Sequence, residues 1–153
     1  GLELIKLLLT HQKFNITYIA NSTGEQNVQD LHPSLKDVVN IDVSKADAKE
    51  VSKVADLAFL ALPHKTSMFF AKELLELDVK VVDLSADYRL ELDTYEEHYC
   101  PHEDKEHIGN SSFVLPSINC PEIISWAKES TPRVITINVK SIWNRFILLF
   151  RRR

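Results

Sequence analysis

The stretch DLAFLAL, residues 56–62, is apolar at every position after its first. A strand with one solvated face alternates apolar and polar residues. A strand apolar throughout has to be covered on both faces, which is the condition of a parallel sheet with helices above and below it. The following residues fit that reading. TSMFFAKELLELD places Met68, Ala71, Leu74 and Leu75 on one face of a helix, and VKVVDLS is apolar again. From Asp56 to Ser85 the chain runs about thirty residues, the length of a βαβ crossover. The expected class is α/β: a Rossmann-like doubly wound parallel sheet.

The rest of the chain is less regular. Leu2, Ile5, Leu8 and Leu9 line one face of an opening helix. FNITYIA alternates Phe14, Ile16 and Tyr18 and predicts a strand. Residues 21–44 read as a loop with one short strand near Val38–Val43, and SKADAKEVSKV as a helix capped by Ser44. Residues 90–112 are polar and without period, an excursion over the surface. SSFVLP is a short extended piece, Cys120-Pro121-Glu122 a helix start, and RVITINV a strand. The closing SIWNRFILLFRRR has an apolar run too short to span a bilayer and is expected to be disordered or poorly packed. The division expected is a partial dinucleotide-binding domain over residues 1–125 and a divergent tail over 126–153.

A net charge of −4 gives no basic surface for nucleic acid. Two cysteines make no disulfide framework, and nothing at the start reads as a signal peptide, so the expected setting is cytoplasmic. Three glycines are few for a nucleotide-binding domain.

In a doubly wound sheet the ligand crevice lies outside the carboxyl ends of the strands. Those ends are Ala20–Thr23, Leu62–Thr66 and Leu84–Arg89. In LPHKTS, Pro63 stops strand pairing, His64 can donate to a cofactor or substrate oxygen, and Thr66 or Ser67 can cap a helix whose N–H groups meet an anion. The plain alternative is a strand-to-helix turn with a surface histidine. In DLSADYR, Ser85, Asp87 and Arg89 gather at one strand end, with Arg89 a fork for carboxylate or phosphate and Asp87 able to orient it or merely brace the loop. The turn Asn21-Ser22-Thr23 carries no acid, which tolerates the 2′-phosphate of NADP; it is otherwise a polar turn. His98, Cys100, His102 and His107 match no zinc spacing and read as a solvated loop, so no metal is expected. Cys120, before Pro121 at a helix start, is placed where a thiolate is favoured, or is simply structural.

Taken together, GLELIKLL, LHPSL, DLAFLALPHKTSM, VKVVDLSADYRL, YEEHY and FVLPSIN resemble the N-acetyl-gamma-glutamyl-phosphate reductases, NADP-dependent enzymes of arginine biosynthesis. The resemblance runs from Gly1 to about Ile124. It implies a Rossmann domain joined to a catalytic domain, a small-molecule substrate, no nucleic-acid or membrane partner, and homo-oligomers for the full-length enzymes. In that family a cysteine attacks the acyl phosphate and NADPH reduces the thioester to a semialdehyde. By the same matching, Gly1, Ser22, Thr23, Leu62, Pro63, His64 and Ser85 fall on the cofactor side, and Asp87 and Arg89 toward the substrate. Three departures stand out. Gly1 matches the last glycine of the family's glycine loop, so the first strand is not represented. The Asn-Pro-Gly-Cys turn of the nucleophile does not occur, so neither Cys100 nor Cys120 is assigned a catalytic role. From about Trp126 the likeness ends. A chain of this kind is expected to be inactive by itself. The alternatives are a non-catalytic remnant that binds nucleotide weakly or serves interaction, and an enzyme like aspartate-semialdehyde dehydrogenase.

Overall fold

The computed structural model describes residues 1–12, 14–108, 111–114, 134–137 and 146–152. The chain opens with helix α1 (Leu2–Leu9), then strand β1 (Phe14–Asn21), the short β2 (Gln26–Asn27), α2 (Val28–Leu31) and a 3₁₀ turn at Pro33–Leu35. β3 (Asp42–Lys45), α3 (Ala48–Val54), β4 (Leu57–Ala61), α4 (Ser67–Glu76) and β5 (Lys80–Asp83) form the regular α/β body. α5 (Leu92–His98), α6 (Lys105–Ile108), β6 (Ser112–Val114), β7 (Val134–Ile137) and β8 (Phe146–Arg152) complete the described elements.

The eight strands form one sheet in the order β2-β3-β1-β8-β4-β5-β7-β6. β3 and β1 pair in parallel, as do β4 with β5, β5 with β7 and β7 with β6. This is the expected Rossmann-like α/β arrangement with a partial parallel sheet. β8 is the exception at its centre, antiparallel to both β1 and β4. The closing stretch, expected to be disordered or poorly packed, therefore supplies a central strand. Its first five residues, Phe146 to Phe150, are apolar in sequence, as in a strand covered on both faces.

Two apolar layers cover the sheet. On one face Ile5 and Leu8 of α1 pack with Phe14 and Ile19 of β1 and Leu57 and Phe59 of β4. On the other, Val51 of α3 and Met68, Ala71, Leu74 and Leu75 of α4 pack with Ala20, Ala58, Leu60 and Val81. Each such leucine contributes roughly 1.5–3 kcal/mol, and the α4 face is the one its spacing predicts. α1 differs slightly: Leu4, Ile5 and Leu8 are buried, whereas Leu9 is exposed. In β1 the expected alternation slips. The register shifts between Ile16 and Tyr18, so Ile19, not Tyr18, joins Phe14 on the α1 face. An extra residue at a bulge moves every later side chain to the opposite face.

Three other expectations are corrected. The short strand lies at Asp42–Lys45, later than Val38–Val43. α3 is capped by Asp47, whose side chain accepts from the N–H groups of Lys49 and Glu50, while Ser44 stays in β3. The polar stretch 90–112 is no surface excursion. It forms α5 and α6 and buries Tyr95, His102, Asp104 and Ile108.

Candidate functional site at the strand ends

Three turns meet at the carboxyl edge of the parallel strands. After β1, Asn21 Oδ1 accepts from the backbone N–H groups of Thr23 at 2.9 Å and Gly24 at 2.6 Å, and from the Thr23 hydroxyl. One short side chain thus folds the turn and leaves Ser22 and Thr23 exposed. Gly24 is required there. Its φ is +71°, and a Cβ would lie 2.6 Å from the Lys45 backbone nitrogen.

After β4 the chain leaves the sheet at Leu62-Pro63 and turns through His64 and Lys65 into α4. Lys65 holds φ +70°, a strained value for a non-glycine residue. What holds it lies twenty-two residues on. Asp87 Oδ1 accepts from the Lys65 N–H at 2.9 Å and Oδ2 from the Met68 N–H at 3.0 Å. Tyr95 adds its hydroxyl to Oδ1 at 3.0 Å. The helix N-terminus is therefore capped by a carboxylate from another loop. Thr66 sits at the N-cap position but makes no side-chain cap, and the Met68 N–H is already taken. The expectation of helix N–H groups offered to an external anion is corrected to that extent.

The loop after β5 is tied to the same turn. The Ala86 N–H donates to His64 Nδ1 at 2.9 Å. In the neutral ring this leaves the proton on Nε2, so exposed His64 presents a hydrogen-bond donor. Tyr99 lies edge-on to the imidazole, 6.1 Å between centroids. Asp83, fully buried at the end of β5, accepts from Ser67 at 2.5 Å and from Ser85 through its hydroxyl (2.6 Å) and its N–H (3.1 Å). Ser85 Oγ in turn accepts from the Asp87 N–H. Burial pushes the Asp83 carboxyl up to about 6; these hydrogen bonds oppose that rise, and the nearby Asp87 charge adds to it.

A second buried network backs the first. His102 Nδ1 accepts from the Asp104 N–H, so Nε2 donates to the Asp87 carbonyl at 2.9 Å. Asp104 accepts from the Tyr88 hydroxyl and pairs with His107. Burial drives both Tyr88 and Tyr95 hydroxyls upward, with Asp104 and Asp87 beside them adding to it, so both remain protonated donors. The stretch expected as a solvated loop is thus partly an internal brace. No group of three or more metal-ligating side chains occurs among the described residues.

The residues expected on the cofactor and substrate sides therefore divide. Ser22, Thr23, Pro63 and His64 are exposed along the edge and Leu62 is half-buried. Gly1 is buried at the start of α1, where burial lowers its amine. Ser85 and Asp87 are buried, with their polar atoms engaged within the chain. Asp87, expected to face substrate or orient Arg89, instead sits behind the turn and clamps it, because three donors converge on its carboxylate. Arg89 donates from Nη2 to the Leu84 carbonyl at 2.9 Å. Cys120 lies outside the described residues. The sequence does not mark Tyr95, His102 and Asp104 as supports of the site. YEEHY shows an apolar periodicity too short to reveal a helix, and nothing local marks a buried histidine.

The exposed Ser22-Thr23 turn and the Leu62–His64 turn both lie at the carboxyl ends of parallel strands, β1 and β4. The first turn carries no carboxylate and exposes the Ser22 hydroxyl, while the Thr23 N–H and hydroxyl are already given to Asn21; in the second, His64 presents its Nε2 donor.

The semialdehyde dehydrogenase NAD binding domain family matches residues 1–126. Among curated proteins, the chain is similar to N-acetyl-gamma-glutamyl-phosphate reductase of Sulfurovum sp., 60% identical over 115 residues, 75% of this chain and 34% of the relative. It is 50% identical over 123 residues to the Sulfurimonas denitrificans reductase, 80% of this chain and 37% of that one. It is 51% identical over 129 residues to the Wolinella succinogenes reductase, 84% of this chain and 36% of that one. The chain spans about a third of the length of the curated relatives it matches.

Proposed function

Because this chain belongs to the semialdehyde dehydrogenase NAD binding domain family, with N-acetyl-gamma-glutamyl-phosphate reductases as relatives, we propose that it is the nucleotide-holding part of such a reductase. The cofactor is NADP, and the whole enzyme's reaction is reduction of N-acetyl-gamma-glutamyl phosphate to its semialdehyde in the cytoplasm. The observation that carries the reading is the strand-end edge itself: the exposed turns at Ser22-Thr23 and Leu62–His64 sit at the ends of parallel strands within the family-matched span.

In this proposal the residues have the following roles. Ser22 and Thr23 receive the adenosine-side phosphate. Leu62 and Pro63 line the nicotinamide side, and His64 donates from Nε2 to a cofactor oxygen. Gly1 stands at the start of α1 on the pyrophosphate side. Ser85 and Asp87 position the turn that carries His64, and Arg89 braces the same loop. The bound dinucleotide supplies the hydride. The nucleophile is not assigned within this sequence, which has no Asn-Pro-Gly-Cys turn. The chain alone is therefore expected to hold nucleotide without turning over substrate.

Calorimetric titration with NADP tests the binding. A dissociation constant below about 1 mM, roughly −4 kcal/mol, supports the reading, and no saturable heat defeats it. Incubation of chain, NADP, phosphate and semialdehyde, followed by nicotinamide absorbance, tests the second part. Sustained turnover would overturn the assignment of a holding role only.

A further inference from the structure

One strand of the sheet runs against both of its neighbours. β1 and β4 are parallel to each other and two strand spacings apart, about 9.6 Å, with β8 antiparallel between them. Four consecutive residues of β8 are paired on both sides. Ile147 registers with Ala20 and Leu60, Leu148 with Ile19 and Phe59, Leu149 with Tyr18 and Ala58, and Phe150 with Ile16 and Leu57.

The packing defines this gap from above and below. One apolar layer joins Ile19 of β1 to Phe59 of β4 on the α1 face, and the other joins Ala20 to Ala58 and Leu60 on the face of α3 and α4. The two strands are thus held at the width of one intervening strand. Left empty, the gap would line buried residues with unpaired backbone N–H and C=O groups, which is costly. β8 has no local connection to either neighbour. Its pairing with β1 spans most of the chain, from Phe14 to Arg152. Because β8 comes from so far along the chain, what holds it in the gap is the two ladders themselves, which the same segment supplied separately can also form.

We propose that the gap between β1 and β4 is a strand-binding site. It takes an extended peptide with a five-residue apolar run through backbone hydrogen bonds, and Phe146–Arg152 is its resident occupant, replaceable by the same segment supplied in trans. Recognition is by main-chain pairing to both neighbouring strands, the chemistry of strand addition. A proline within the occupant removes one ladder N–H, and its ring is not accommodated in a central strand.

The experiment uses the full chain, its Leu148→Pro variant, and a fluorescent peptide of residues 144–153. The variant is expected to lose its cooperative thermal transition. The peptide is expected to restore it and to bind one per chain, at least tenfold more tightly than it binds the parent, whose site is filled. A peptide carrying the same proline should do neither. A variant that melts with the parent, peptide binding equal in both, or a variant that the peptide fails to restore would each overturn the proposal. Hydrogen exchange on the unmodified chain is the independent measurement. Slow exchange along both β1 and β4 supports an occupied gap, and exchange at open-strand rates along their facing edges contradicts it.

Discussion

The turn after β1 and the turn after β4 stand at the same edge of one sheet, yet they are built on opposite plans. The first is local: Asn21 satisfies Thr23 and Gly24 within three residues, and Gly24 allows the close approach to Lys45. The second is held from a distance, since Asp87 fixes Lys65 and Met68 and Ala86 fixes His64. A self-contained turn presents hydroxyls whose loss elsewhere would matter little. A turn clamped through a buried carboxylate ties the orientation of its histidine to the stability of the domain.

Breaking the distant clamp should have the largest effect. Asp87→Ala strands the N–H groups of Lys65 and Met68 and the Tyr95 hydroxyl, and is expected to cost about 3–5 kcal/mol in denaturant unfolding. Nucleotide affinity should fall with it. Next is the pH dependence of Asp83. Below about pH 4 folded and unfolded chains both carry its proton. Between there and about 6 the unfolded carboxyl ionises first, so this group's contribution to stability falls as pH rises, by on the order of 3 kcal/mol. Asp83→Asn should flatten that part of the stability profile, measured by chemical denaturation across the range. In the local turn, Gly24→Ala should cost about 2–3 kcal/mol, from the positive φ and the contact with Lys45, read as a lowered thermal midpoint. Asn21→Ala should cost only about 1 kcal/mol by the same measurement. Equal costs for Asp87→Ala and Asn21→Ala would erase the contrast between the turns.

Much of the α/β body was legible because its signals are local and strong. The apolar run 56–62 demanded cover on both faces, and Met68, Ala71, Leu74 and Leu75 marked the face that provides it. The shifted half of β1 was not legible, because a bulge is set by the partner strand. Ser44 and Asp47 both suit a cap, and only the extent of β3 decides between them. The polar stretch around His102 and Asp104 looked solvated because its burial depends on partners at Tyr88 and Asp87. At the site, LPHKTS and DLSADYR each show their polar groups at a strand end. Their union is not visible in the sequence: Arg89 is the near neighbour of Asp87 along the chain, whereas in space the N–H groups of a helix start claim the carboxylate first. The central place of β8 was equally hidden, since an apolar run names no partner strand.

The central claim is that the two turns, differently built, hold the two ends of one dinucleotide. Amide chemical shifts recorded during titration with NADP test it most directly. The expected result is saturable change concentrated at Ser22 and Thr23 and at His64 through Lys65, with Ala86 moving in step through its bond to His64. Changes confined to one turn, or centred away from the strand ends, would contradict it.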